Sequence, residues 1–405
     1  MNWLKTILVA ACILFFISPG LAYSQSVPEL VLMSGEVLAR TKTRIANGDP
    51  KLMPAMKQLI KEANAALRSG PYSVTYKDKV APSGNKHDYA SYARYWWPDP
   101  NKPDGLPYIR RDGETNPDSQ STKTSDRSRI ESLGINTETL GLAYYLTGEE
   151  KYAIKAAELL RVWFLAPATR MNPNLNFAQG RPGRVDGTKY GVLDGRMMTR
   201  ALEGSRLIAG SAALSDTEHA GLKAWATEYL KWLTTADLAV SEAATKNNHG
   251  CYYDAQTMYI ALYCGDKATA LKIAKAAAEK RVLSQIKPDG SMPEELARTR
   301  PIFYSNYNLH AMFLVAYMSQ KVGVNIWNAG DSRLRTGTDF LTPYIDPNKT
   351  WRTRIVSKND PMKMFPILVM ANDAYPEGNY LRFVDKLPAS KRKVRRENLA
   401  WPLMR

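Results

Sequence analysis

Two polar stretches hold the residues best suited to chemistry. The first is Asn247-Asn248-His249-Gly250. The second runs Asp289-Gly290-Ser291-Met292-Pro293-Glu294-Glu295-Leu296-Ala297-Arg298-Thr299-Arg300-Pro301-Ile302-Phe303-Tyr304, with Tyr307 three residues further on. Together they offer an amide (Asn248), an imidazole (His249), a guanidinium (Arg298) and a phenol (Tyr304). The amide and the guanidinium are donors that suit an anion, and the imidazole and phenol can give and take protons. Each stretch stands just before a helix-like segment. One covers 251–264 and stops at Gly265; the other begins after Pro301, whose missing N–H suits a first helical turn. A return helix at about 267–283 lies between them. In an up-down array the two flanking helices run parallel, so their N-terminal ends share one rim where helix dipoles and free N–H groups favour negative charge. The spacing therefore predicts that all four groups meet at one anion-binding place.

The elements that must hold this place read as helices almost throughout. Apolar residues at helical spacing fall over 27–46 and 51–68, with Gly48 and Gly70 as stops. They continue near 129–147, 150–166, 192–213, 216–236, 251–264, 267–283, 302–320, 331–344 and 361–374. Strand alternation is weak and no exact repeat occurs. Paired helices of this length predict an all-α fold, an (α/α)6-7 toroid whose inner helices ring a central cleft or tunnel. A stacked solenoid is disfavoured by the irregular repeats.

Residues 71–125 show no periodicity. Within them, 85–115 interleave aromatic rings and positive charge: Arg94, Tyr95, Trp96, Trp97, Arg110 and Arg111. A long irregular run inside a compact chain is usually functional. It reads as a lid over the cleft, with at least one tryptophan serving only to anchor it. A second loop, 172–184, is rich in Asn and Arg; Asn176 and Gln179 are candidate sugar contacts there, although Asn is also an ordinary loop former. This loop leads to Tyr190 and Asp194.

The chain has 405 residues, of which 44% are hydrophobic, enough for a large core and unlike a disordered composition. Residues 1–24 read as a cleavable signal: Lys5, an apolar run over 7–17 and Ala22-Tyr23-Ser24 before the cut. A lipoprotein site at Cys12 would fall in the middle of the apolar run, which disfavours it. The expected product is one domain, 25–405, periplasmic or secreted, without a membrane span. Cys251 and Cys264 stand 13 residues apart on one predicted helix, about 20 Å along its axis; they read as small buried residues, not a disulfide. Lysine and arginine total 55 against 39 acidic residues, a net +16, or +15 without Lys5. That charge suits a polyanionic partner, and for a secreted chain an acidic polysaccharide fits better than nucleic acid. Solubility alone would also account for it. The basic tail, 386–405, reads as a solvated face. No metal or cofactor is indicated, and a monomer is expected.

The combination of Asn-Asn-His before an inner helix with Asp-Gly-Ser-x-Pro-x-Glu-Leu-Ala-Arg and a following Tyr resembles the alginate lyase superfamily. It resembles polysaccharide lyase family five in outline. The six-residue step from Arg298 to Tyr304 and the Tyr-Trp-Trp-Pro-Asp-Pro of the long loop are closer to family thirty-eight, which includes alginate and glucuronan lyases. The resemblance covers about 85–375. Carried over by position, it implies Asn248, His249, Arg298 and Tyr304 as the catalytic set.

Such an enzyme would remove the C5 proton of a 4-linked uronate and expel O4. Asn248 and Arg298 would stabilise the charge that moves onto the carboxylate. In mannuronate and glucuronate H5 and O4 share a face, so a phenol can serve as base and then acid. In guluronate they lie opposite, which calls for a separate base, His249, with Tyr304 as acid. The expected activity is endo-acting cleavage of alginate, with glucuronan as the alternative substrate and Tyr307 as a substrate contact. Other readings remain at this stage. Arg298 can simply pair with Glu294 or Glu295, and Tyr304 and Tyr307 can be core aromatics. His219 reads as structural, while His87 and His310 are open. A toroid glycoside hydrolase would need a carboxylate pair such as Asp194 with Glu294 or Glu295, and a binding protein would need no proton transfer.

Overall fold

The computed structural model describes residues 27–346, 348, 349, 351 and 359–401; the predicted signal at 1–24 and the last four residues lie outside them. After α1 (Gly35–Ala46) and α2 (Met53–Ala66), a long connection carries β1 (Ala90–Tyr92), β2 (Trp96–Trp97) and β3 (Ile109–Arg110). Then come α3 (Arg127–Thr147), α4 (Glu150–Leu160), β4 (Phe177–Gly180), α5 (Arg196–Leu207), α6 (Asp216–Thr235) and α7 (Asp237–Ala243). The second half holds α8 (Asn248–Cys264), α9 (Lys267–Ala277), α10 (Pro293–Leu296), α11 (Pro301–Gln320), α12 (Ala329–Leu341) and α13 (Phe365–Ala374).

Burial sorts these helices into two layers. In α8, 14 of 17 residues are buried, and α3 and α11 are likewise covered on several sides. A helix covered all round belongs to an inner layer. In α9 only Ala270, Ala274 and Ala277 are buried, one stripe at i, i+4, i+7, as an outer helix requires. Inner α3, α5, α8, α11 and α13 pack in succession, and outer α4, α6, α9 and α12 each bridge or back them. This is an α/α toroid. Among the described residues no helix is long and apolar enough to cross a membrane.

Several element boundaries differ from the sequence reading, each for a local reason. The first helix starts at Gly35, not 27, because Ser34 caps it by accepting from the Val37 N–H at 3.3 Å. Residues 30–32 instead run to α5, where the Val31 and Leu32 N–H groups donate to Glu203 Oε1 at 2.9 and 2.7 Å. The predicted 192–213 helix is a 3-10 turn over Lys189–Gly195 followed by α5. The seven-residue α7 is too short to show a period. The long loop is also not structureless: β2 pairs antiparallel with β3, Trp96 opposite Arg110, and β1 pairs parallel with β4. Two- and three-residue strands leave no alternation to read.

The basic tail departs furthest from expectation. It does not lie wholly in solvent. The toroid encloses a cavity of 860 Å³, lined at one end by Arg196, Tyr252 and Tyr307 and elsewhere by Glu62, Glu138 and Arg396. Arg396 reaches Glu62 at 2.9 Å and Glu138 at 3.3 Å, and donates to Thr139 Oγ1 at 2.9 Å. The tail is drawn in because two acidic side chains, Glu62 of α2 and Glu138 of α3, line the cavity beside Arg396. Lys391 and Lys393 remain exposed.

Two buried carboxylates tie the shell together, and they set a pH dependence. Burial pushes Glu203 up to about 7 and Asp126 up to about 6. In the unfolded chain both titrate near 4. Between those values the folded state holds more protons, so stability falls as pH rises from about 4 to 7. We expect the melting temperature to fall across that window. Glu203→Gln keeps the acceptor for Val31 and Leu32 and should flatten the slope; thermal scans of both proteins check it.

Candidate active site

The first turn of α8 is built to hold its polar residues in fixed positions. Asn247 caps the helix, its side chain accepting from the His249 N–H at 3.1 Å. Helical geometry begins at Asn248, three residues earlier than the apolar pattern suggested. Gly250 follows because a Cβ there would lie 2.2 Å from the Thr245 carbonyl oxygen and 2.3 Å from Arg281 Nη1. Arg281, paired with Asp254 at 2.6 Å, uses that space to donate to the Thr245 and Ala243 carbonyls. The loop before α8 is thereby locked. The His249 ring is held on two sides: Nδ1 is hydrogen-bonded to Glu242 Oε1, and Tyr190 packs edge-on at 5.1 Å between ring centres.

Asn248 is buried and committed to Glu295 of α10. Its backbone N–H donates to Oε1 at 2.6 Å, and its amide nitrogen donates to Oε1 at 3.0 Å and Oε2 at 2.9 Å. Burial raises the Glu295 carboxyl above its ordinary range against the pull of the Asn248 donors. This bond joins the start of α8 to the turn that precedes α11, so the two N-terminal ends do share a rim. Glu294, by contrast, is exposed.

Tyr304 sits in the first turn of α11, its backbone N–H on the Arg300 carbonyl. Its hydroxyl lies 2.9 Å from that of Tyr95. The Arg298 guanidinium lies over the Tyr304 ring, 4.0 Å from its centre. Burial raises the hydroxyl above the ordinary phenol range, and Arg298 opposes the rise. The long loop is fastened here a second time: Asp112 approaches Arg298 at 3.7 Å and accepts from Thr299 Oγ1 at 3.4 Å. The 85–115 segment thus reaches both groups that the sequence singled out in the Asp289–Tyr307 stretch.

The other candidates divide. Tyr307 is a turn deeper, packed between Tyr252 at 4.2 Å and Phe303 at 6.0 Å and lining the cavity beside Arg196. Trp96 is flanked by Arg181 and Arg184, at 4.5 and 5.3 Å from its ring. Trp97 donates to the Glu114 carbonyl at 3.0 Å, under Arg111 at 5.3 Å. Both rings therefore anchor the loop. Arg94 approaches Glu131 at 3.8 Å, and exposed Arg110 pairs with Asp112 at 3.0 Å. Asn176 accepts from Trp232 Nε1 at 2.8 Å. Gln179 turns inward and donates to Asp194 at 3.0 Å; its φ of 51° is unusual for a residue with a side chain. Asp194 also receives Tyr89, Ser91 and Arg127. Asp194 and Glu295, two of the carboxylates on which a hydrolase would call, are both taken up by donors. His310 is half-buried, holds Tyr252 at 3.2 Å, and is pushed down to about 4 by loss of solvent around the ring; His87 binds the Arg170 carbonyl at 2.6 Å.

Residues 73–351 match the family model described as Alginate lyase. The chain belongs to the alginate lyase family. An alginate lyase from Bacteroides ovatus, known from its crystal structure, is 37% identical, with a TM-score of 0.88 over 93% of this chain and 100% of that one. Alginate lyase A1-III from Sphingomonas species A1 is 15% identical, with a TM-score of 0.58 over 92% and 97%. A histidine-to-alanine variant of A1-III complexed with tetrasaccharide is 14% identical, with a TM-score of 0.60 over 94% and 98%. These last two show the shared fold. No curated protein matches the chain. This alginate lyase family member is thus a polysaccharide lyase on a toroid.

Three features of the site were not legible beforehand. Glu242 precedes His249 by seven residues but sits on α7, a segment outside the predicted helices. Tyr190 reaches His249 from the turn after β4. The Tyr95 hydroxyl meets Tyr304 across 209 residues of sequence. Tyr95 opens the Tyr-Trp-Trp-Pro-Asp-Pro motif, but nothing in the motif names Tyr304 as its partner; for Glu242 and Tyr190 only the preference of buried polar groups for partners gives a hint.

Proposed function

We propose that this lyase cleaves alginate within the chain by β-elimination at the place where α8, α11 and the 85–115 loop meet. The observation that carries the reading is the pairing at Tyr304: a phenol with a guanidinium over its ring and a second phenol at 2.9 Å, one rim away from His249. In this reading the substrate carboxylate lies near Arg298 and the Asn248–Glu295 pair. The Asn248 amide is already spent on Glu295, whose buried carboxyl is raised above its ordinary range, so Asn248 and Glu295 face the substrate carboxylate as one unit. Charge moving onto that carboxylate after C5–H loss is then met by fixed donors. Tyr304 gives its proton to O4. For mannuronate it first takes the C5 proton from the same face; for guluronate His249 takes it from the other.

The net charge of +16 supports an acidic polymer and predicts that attraction is screened within ~8 Å at physiological salt. Export under a signal over 1–24 belongs to the same reading. The test is ultraviolet absorbance of the unsaturated uronate product on mixing with polymannuronate, polyguluronate, glucuronan and a neutral glucan. Absorbance growth on alginate blocks, fading with added salt, is expected. Growth on glucuronan alone would move the substrate, and cleavage of neutral glucan at a comparable rate would overturn the reading.

A further inference from the structure

Glu242 is 1% exposed, and its surroundings do not explain a charge there. Oε1 meets His249 Nδ1. Oε2 is buried with no hydrogen-bond partner. Its only ion-pair partner among the described residues is the His249 ring. The nearby arginine, Arg281, is committed to Asp254 and to two backbone carbonyls. A carboxylate so placed costs stability unless a partner becomes positive. The partner that can do so is His249, whose Nε2 has no hydrogen bond among the described residues. Tyr190 blocks one flank of the ring, and the Asn247 cap fixes the backbone beneath it, so the imidazole has little freedom to turn.

We propose that Glu242 is a positioning residue for His249: it holds the ring proton on Nδ1, leaves Nε2 as the basic nitrogen, and stabilises the imidazolium formed during cleavage. The proposal rests on the reading of His249 as the base for guluronate. In that step the C5–H bond breaks and an Nε2–H bond forms. The electron pair moves into the uronate carboxylate and then becomes the C4=C5 double bond as C4–O4 breaks. O4 takes the Tyr304 proton, and water afterwards removes the proton from His249 and restores that of Tyr304. The charge on His249 is transient, and Glu242 faces it throughout. A carboxylate behind a histidine base fixes tautomer and orientation in just this manner, and its replacement by an amide acts mainly through the wrong tautomer.

The test compares the wild type with Glu242→Gln, which keeps shape, and Glu242→Met, which keeps volume without polarity. Three readouts are taken: melting temperature, rates on polymannuronate and polyguluronate, and the ring-nitrogen shifts of His249 by long-range ¹⁵N–¹H correlation, assigned with His249→Asn. In the wild type the proton is expected on Nδ1; in both variants the Nδ1 lock is lost. The melting temperature should hold or rise. Polyguluronate turnover should fall about 100-fold or more, and polymannuronate turnover about tenfold or less, because a mispositioned base costs orders of magnitude only where that base acts. Unchanged nitrogen shifts in Glu242→Gln would overturn the proposal. So would a rate loss equal on both polymers that follows a fall in melting temperature, since that marks a structural carboxylate. If His249→Asn keeps wild-type rates on both polymers, the reading of His249 fails, while the nitrogen shifts still decide whether Glu242 sets its tautomer.

Discussion

Tyr304→Phe is expected to lower turnover about 1,000-fold or more on every uronate polymer, within the usual range for loss of a general acid or base plus the bonds it organises. The ring stays, so its contact with Arg298 at 4.0 Å and with Phe303 at 5.2 Å persists. What goes is the proton and the 2.9 Å bond to Tyr95. Folding should be little affected. The direction of the pH dependence follows from the environment. Burial raises the hydroxyl above its ordinary value, so the free enzyme keeps the proton at neutral pH and is ready to act as an acid. Acting as base on mannuronate needs that proton gone first. Polymannuronate cleavage should therefore climb toward alkaline pH. Tyr307→Phe serves as the contrast, because Tyr307 is held in a stack between Tyr252 and Phe303. If Tyr304→Phe cleaves at near wild-type rate and Tyr307→Phe is dead, the acid lies one turn deeper than assigned here. Steady-state rates for both variants on both block polymers decide it.

How much of this was legible in the sequence varied with how local the cause was. The inner helices were legible because a segment such as 251–264 is rich in apolar residues at helical spacing and ends at Gly265, which takes φ 84° as a helix stop does. The meeting of the start of α8 with the Asp289–Tyr307 stretch, made by Asn248 and Glu295, was legible because it needs only two parallel helices with one return between them. The start of α8 was missed by three residues, since Asn248 and His249 are polar and a pattern of apolar spacing cannot count them. Glu242 and Tyr95 were illegible as partners. Each acts through one contact with a residue on a different element, and nothing in local spacing records such a contact. The tail was misread for the same reason: Arg396 looks like any surface arginine until Glu62 and Glu138 are brought beside it. Trp96 and Trp97 were read as candidate sugar contacts, with at least one of them an anchor. Arginines pack against both rings, an arrangement that a sequence of alternating rings and charges fits equally well.

Arg298→Ala is expected to cost about 100-fold or more in kcat/KM, the usual loss when one fixed donor to a developing anion is removed. Two effects add in the same direction. The carboxylate loses a guanidinium, and Tyr304 loses the positive charge that offsets its burial, so its proton is held still more tightly when the phenol must act as a base. Arg298→Lys should recover little, because an ammonium cannot lie flat over the ring or present paired donors. The second contact of Arg298, with Asp112 at 3.7 Å, joins half-exposed side chains, and a pair of that kind adds little to stability. Asp112→Asn should thus leave the melting temperature unchanged and raise KM for long polymer, by loosening the 85–115 loop, with kcat nearly constant. That split separates holding the polymer from chemistry at the same turn. The competing clamp is Arg196, whose guanidinium lies 6.0 Å from the Tyr307 ring and lines the central cavity. An Arg298→Ala enzyme at wild-type rate, beside a dead Arg196→Ala enzyme, would place the reacting carboxylate on the cavity side of Tyr307 and move the whole site one turn down α11.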